Sequence, residues 1–99
     1  MDLRKAQKDV YQNKINKGFN TTDMPKEFCY LYGEVAEAYE AYTKKKEDLN
    51  YELADIAIYL LGISEILGID LEKAIEEKIA INANRVYKVE NGIHVKVND

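Results

Sequence analysis

Ninety-nine residues make one domain, because a chain of this length buries a single core and has no room for a second. It is 46% hydrophobic and 32% charged with one Pro and five Gly, too apolar for disorder and too poor in turn residues for a β-rich fold. Fourteen Lys and Arg against 18 Asp and Glu leave a net charge of -4, which excludes a protein that coats a nucleic-acid polymer with a basic face but not one that binds a small phosphorylated ligand. Cys29 has no internal partner, and no Cys/His spacing of the zinc-holding kind occurs. Residues 1–9 are charged, and no run approaches the roughly 18 apolar residues that span a bilayer. A soluble cytoplasmic protein without a membrane partner is expected.

The chain reads as four helices. The first covers about residues 2–17, with Val10 and Ile15 among polar neighbours, and Gly18 ends it. Residues 19–24 carry Asn20, Thr21, Thr22 and Asp23 and form a loop; Pro25 suits the first turn of helix two, which runs to about residue 45. A polar turn over residues 44–50 leads into helix three, which reaches Leu67 and stops at Gly68. Asp70 caps helix four, which continues to about Tyr87. Asn91-Gly92, between residues 87–90 and 93–97, is a hairpin signal. The predicted fold is all-α, a four-helix bundle over about residues 2–88 with a C-terminal hairpin or tail over residues 89–99.

On helix two, Phe28, Leu31, Val35, Tyr39 and Tyr42 recur at helical period and predict an ordinary core face. Helix three differs. Leu53, Ile56, Ile58, Leu60, Leu61, Ile63, Ile66 and Leu67 point in nearly all directions around its axis, so it needs burial on every side. Three other helices of one chain can hardly supply that, and the bundle is expected to be completed by a second subunit.

The polar stripe on helix three is Asp48, Glu52 and Asp55, with Tyr59 continuing the line. Carboxylates one turn apart beside Leu53 and Ile56 are partly desolvated, which is costly unless a cation cancels the charge. Glu34 and Glu37 lie three apart on the flank of helix two. A lone pair of this kind is ordinarily solvated surface, but two helices joined by a short turn pack antiparallel, and Glu34, Glu37, Glu52 and Asp55 can then converge. A divalent cation would hold four such groups ionised, and oxygen-only ligands select a hard one: Mg²⁺ first, Mn²⁺ second. On helix four, Lys78, Asn82 and Arg85 fall at offsets 4 and 7, on the side of Leu71, Ala74 and Ile75 that should look inward. They suit an oligophosphate, or alternatively acidic neighbours at a subunit interface. His94, in the terminal hairpin, reads as a surface residue.

The strings Gly33-Glu34-Val35-Ala36-Glu37-Ala38, Glu52-Leu53-Ala54-Asp55-Ile56-Ala57, Gly68-Ile69-Asp70-Leu71 and Lys78-Ile79-Ala80-Ile81-Asn82-Ala83-Asn84-Arg85 resemble the MazG-like nucleoside triphosphate pyrophosphohydrolases, of the all-α nucleotide pyrophosphatase superfamily. The resemblance covers about residues 19–87. It implies that Glu34, Glu37, Glu52 and Asp55 bind Mg²⁺ and serve catalysis, that Lys78, Asn82 and Arg85 contact a nucleoside triphosphate, and that hydrolysis falls between the α- and β-phosphates. It also implies a homodimer or homotetramer. Relatives that select dCTP stack the base on tryptophans; this chain has none, and Phe19 stands where one such aromatic would be. Tyr11 and Tyr30 could add stacking surface, and Asn13 and Asn20 could read a base edge. Two alternatives remain: a relative with another substrate, such as dUTP or phosphoribosyl-ATP, and a non-catalytic MazG-like module that dimerises and binds a nucleotide or a protein.

Overall fold

The computed structural model describes residues 1–97, so residues 98–99 of the predicted tail lie outside the described part. Four helices, α1 (Leu3–Lys17), α2 (Met24–Thr43), α3 (Leu49–Ile66) and α4 (Leu71–Ala83), precede a hairpin of β1 (Tyr87–Glu90) and β2 (Ile93–Lys96). The strands are antiparallel, with Val89 opposite His94 and Glu90 opposite Ile93 across the Asn91-Gly92 turn. Among the described residues, no helix is long and apolar enough to cross a membrane.

Short polar side chains set the helix starts. Asp2, Asp23 and Asp70 accept the backbone N–H of Lys5, Lys26 and Lys73, satisfying one orphan donor in each first turn. Three helices end alike, with a left-handed residue and a backbone bond spanning the last turn: Phe19 N to Lys14 O at 2.9 Å, Lys46 N to Ala41 O at 2.9 Å, and Ile69 N to Ser64 O at 2.8 Å. The left-handed residue is Gly at positions 18 and 68 but Lys45, with φ 53°, after α2. Gly68 has open space where a Cβ would stand, so Gly68→Ala meets only the backbone penalty. A loss of about 1 kcal/mol is expected, and Lys45→Gly should gain a similar amount; paired thermal melts check both signs.

Helix four is shorter than predicted. It ends at Ala83, with Asn84 at the C-cap donating its side-chain amide to Ala80 O at 3.1 Å. From Val86 the chain is extended, because Val97 N bonds Val86 O at 2.8 Å and the β-branched and aromatic residues beyond it pair as strands. Arg85 therefore lies past the helix that was expected to carry it.

The helices α2 and α3 form the main packed pair, α1 lies on α3, and α4 has α1 as its principal neighbour. Gln7, 2% exposed, ties α4 down by donating to Glu65 and to Ile69 O and accepting from Leu71 N, while Arg4 pairs with Asp70. The buried apolar residues are few: Ala38, Ala41, Leu61 and Ile63. Here the expected core face of α2 proves wrong. Phe28, Val35, Tyr39 and Tyr42 are exposed, Tyr39 by 68%, and the stripe turned toward α3 is instead Glu27, Leu31, Glu34, Ala38 and Ala41. Small alanines let two helix backbones approach closely, so the Ala-bearing stripe wins the intrachain contact and the bulky aromatics are left outside.

Helix three is buried only at its C-terminal end, over Leu61, Gly62, Ile63 and Ser64; Leu53, Ile58 and Leu60 remain exposed. The accessible surface is 7466 Å², about 1,700 Å² above the roughly 5,800 Å² of a compact monomer of this mass. The radius of gyration, 16.6 Å, also exceeds the roughly 13 Å of a compact domain of 100 residues.

Candidate metal centre and adjoining cavity

Because the stripe of α2 that faces α3 includes position 34, a carboxylate is carried into the helix pair. One oxygen each from Glu34, Glu37 and Glu52 lie within 4.8 Å of one another. Glu34 and Glu52 are half-buried, and their Oε2 atoms are buried with no hydrogen-bond partner among the described residues. Burial pushes the Glu34 carboxyl above the usual range, and the charges of Glu37, Asp55 and Glu52 push it further. Glu52 is raised by the same causes, burial first and then Glu37, Asp48 and Asp55, with Lys46 opposing. Asp55, one turn along α3 from Glu52, is exposed and stands outside the three-residue group, though its charge acts on both.

The donor set is oxygen only and crowded, and two of its buried oxygens have no proton donor to accept from. A hard divalent cation fits these residues, because it would complete both orphaned oxygens and cancel the mutual repulsion.

Between α1 and α3 lies a cavity of about 330 Å³, a size that ligand pockets commonly have. From α1 it is lined by Asp9, Val10, Asn13 and Lys14, from the loop by Phe19, and from α3 by Ile58, Tyr59 and Gly62. A Cβ at Gly62 would sit 3.4 Å from Val10 and 3.5 Å from the Lys14 stem, so the glycine lets α1 lie close against α3 at this wall. Tyr59, one turn along α3 from Asp55, is a wall of the cavity. Its ring is 6.3 Å from that of Tyr30, and its hydroxyl is pushed upward by burial and then by the charges of Glu27, Glu34, Tyr30 and Asp55.

A buried ion pair holds this wall. Lys14 Nζ donates to Glu27 Oε1 at 2.5 Å and sits 5.5 Å from the centroid of the Tyr59 ring, while Asn20 Nδ2 donates to Glu27 Oε2 at 3.1 Å. Glu27 is 1% exposed, so it is buried with both oxygens satisfied. Asn20 also accepts from Asp23 N at 3.1 Å and donates to Asp23 O at 2.9 Å, which folds the loop that presents Phe19. That amide, expected as a candidate reader of a base edge, is thus committed to the loop; Asn13 lines the cavity.

The helix-four residues are not where the periodicity placed them. Lys78 and Asn82 are exposed, α4 packs mainly on α1, and Arg85 Nη1 donates to Asn82 Oδ1 at 3.1 Å. Arg85 is half-buried; α4 is held by its N-terminal end at Asp70 and Leu71, and none of its described residues is buried. Lys14 and Glu27 escaped the sequence reading. Their signal was the 4, 3, 4, 3 spacing of Glu27, Leu31, Glu34, Ala38 and Ala41, a second stripe of α2 hidden beside the bulkier one.

Fold and site together define an all-α chain with a carboxylate cluster between α2 and α3 and a cavity between α1 and α3. No family profile matches the chain, and no solved structure matches it. A dATP/dGTP diphosphohydrolase from Salmonella phage PMBT28 is 47% identical to it over 49 residues, which is 48% of this chain and 17% of that protein. The chain therefore spans well under a quarter of that relative's length.

Proposed function

We propose that this chain is a MazG-like nucleoside triphosphate pyrophosphohydrolase that cleaves (d)NTPs between the α- and β-phosphates, releasing a nucleoside monophosphate and pyrophosphate, in a nucleotide-pool housecleaning role. The observation that carries it is the group of Glu34, Glu37 and Glu52, whose carboxylate oxygens lie within 4.8 Å of one another with two buried oxygens lacking a partner among the described residues, while the cavity lined by Phe19 and Tyr59 offers room for a base. The similarity to a dATP/dGTP diphosphohydrolase supports the same chemistry.

In this scheme Glu34, Glu37, Glu52 and Asp55 hold Mg²⁺, or Mn²⁺ in its place. When bound, the ion supplies charge neutralisation across the phosphate oxygens and acidifies a water. Phe19 and Tyr59 give the base apolar ring surface, and the ion pair with Glu27 fixes Lys14 in the α1 wall. Lys78, Asn82 and Arg85 bind the oligophosphate from a second copy of the chain, whose apolar α2 and α3 faces close over those of the first to form a homodimer or homotetramer. The excess of about 1,700 Å² lies within the range of an obligate homodimer interface, about 1,000–2,500 Å² per partner.

The test is a panel of ribo- and deoxynucleoside triphosphates with Mg²⁺, scored separately for pyrophosphate and for phosphate. Pyrophosphate with the matching monophosphate is expected. Release of single phosphates would contradict the cleavage site, and no release from any substrate would leave a non-catalytic nucleotide-binding module as the function.

A further inference from the structure

We propose that the cavity between α1 and α3 reads a guanine base, with the ammonium of Lys14 donating to the O6/N7 edge and the carboxylate of Asp9 accepting from N1–H and the 2-amino group. The assignment rests on the nucleotide reading above and goes further, because it names the base from residues of α1 that lie outside the carboxylate cluster.

The cavity wall is apolar at Val10, Phe19 and Ile58, so the few polar groups on it decide orientation. Lys14 is 8% exposed, and an ammonium has three donors. One goes to Glu27 Oε1 at 2.5 Å, and the Tyr59 ring face lies 5.5 Å away. Glu27 in turn is fixed by Asn20, so the ammonium is a rigid donor beside the cavity rather than a mobile surface charge. A fixed cation favours a base edge made of acceptors. Guanine offers O6 and N7 there, whereas adenine turns its 6-amino donor toward the same place.

Asp9, on the same α1 wall, supplies the opposite polarity. Its Oδ2 accepts from Lys5 Nζ at 2.8 Å, and a carboxylate has about four lone-pair sites, so further donors can be met. Guanine presents two adjacent N–H donors next to O6. A thymine or uracil has the carbonyl and one N–H but no 2-amino group, and adenine has neither the carbonyl nor the N1–H. Among the common bases guanine alone sets two adjacent N–H groups, which one carboxylate can accept together, beside an acceptor edge for the ammonium.

The experiment measures equilibrium binding of dGMP, dAMP and dTMP to the full chain by calorimetry without any divalent cation. The wild type should bind dGMP at least about tenfold more tightly than either of the others, from one well-formed donor and acceptor pair. Asp9→Ala, an exposed position where the fold tolerates change, should bring dGMP down to the level of dTMP. Lys14→Met combined with Glu27→Gln, which removes the ion pair without leaving a lone buried charge, should bring dGMP and dAMP within about twofold. Equal affinity for dGMP and dAMP, tight binding of dTMP, or no binding at millimolar nucleotide would each overturn the assignment. The two readings fail separately: discrimination without pyrophosphate release keeps the guanine site and removes the hydrolase, and release without discrimination does the reverse.

Discussion

Glu52→Gln is expected to abolish pyrophosphate release, by a factor on the order of 10³ or more, since losing one carboxylate ligand forfeits several kcal/mol of transition-state charge stabilisation. The same substitution should raise the melting temperature of the cation-free protein. The sign follows from the cluster. Burial and three like-charged neighbours lift the folded-state pKa of Glu34 and Glu52, so each ionised form is disfavoured by folding, and the penalty is present above the raised pKa and relieved as pH falls through it. Glutamine removes the charge and the penalty with it. Adding Mg²⁺ should then stabilise the wild type by mass action and leave Glu52→Gln and Glu34→Gln unmoved. Differential scanning fluorimetry with and without Mg²⁺ separates a ligand from a structural carboxylate: a variant that melts lower than wild type without cation, or that still gains from Mg²⁺, would remove Glu52 from the metal centre.

Tyr39→Asp should cost at least about 3 kcal/mol and convert an oligomer into a monomer. In a single chain the residue is 68% exposed, and a change at so open a surface position is normally worth within about ±0.5 kcal/mol. A large effect therefore measures a partner. If two copies close on the Phe28, Val35, Tyr39 and Tyr42 face, the variant buries an uncompensated charge in the interface. The wild type should sediment as a dimer or tetramer with a melting temperature that rises with concentration, and Tyr39→Asp should lose both properties. A wild type that is monomeric at micromolar concentration, or a Tyr39→Asp variant that assembles normally, would end the oligomer proposal and with it the delivery of Lys78 and Arg85 from a second copy.

Much of the secondary structure was legible because its determinants are local. Asp23 before Pro25, Asp70 before Leu71, Gly18, Gly68 and Asn91-Gly92 each act within a turn of chain, and the elements begin or end beside them. The exceptions are the ends of α2 and α4. Lys45 adopts a left-handed conformation usual for Gly, and α4 stops at Ala83 because residues from Val86 onward are drawn into a hairpin whose second strand supplies the pairing.

The candidate site was legible to the same depth. Spacing nominated Glu34, Glu37, Glu52 and Asp55; the helix pair brings oxygens of the first three within 4.8 Å of one another and leaves Asp55 outside that group. Spacing could not select the face of α2 that turns inward, since Phe28, Val35, Tyr39 and Tyr42 are the more apolar set by composition. That choice belongs to packing: the alanines at 38 and 41 permit the close contact with α3, and the contact in turn carries Glu34 inward and buries Glu27 beneath Lys14. The sequence by itself determined four helices, a hairpin and an acidic pair of pairs, because periodicity and caps are properties of neighbouring residues. Only the tertiary structure decided that Phe19, Lys14 and Tyr59 wall a cavity between α1 and α3, and that α4 packs mainly on α1, because both follow from which helix surfaces meet.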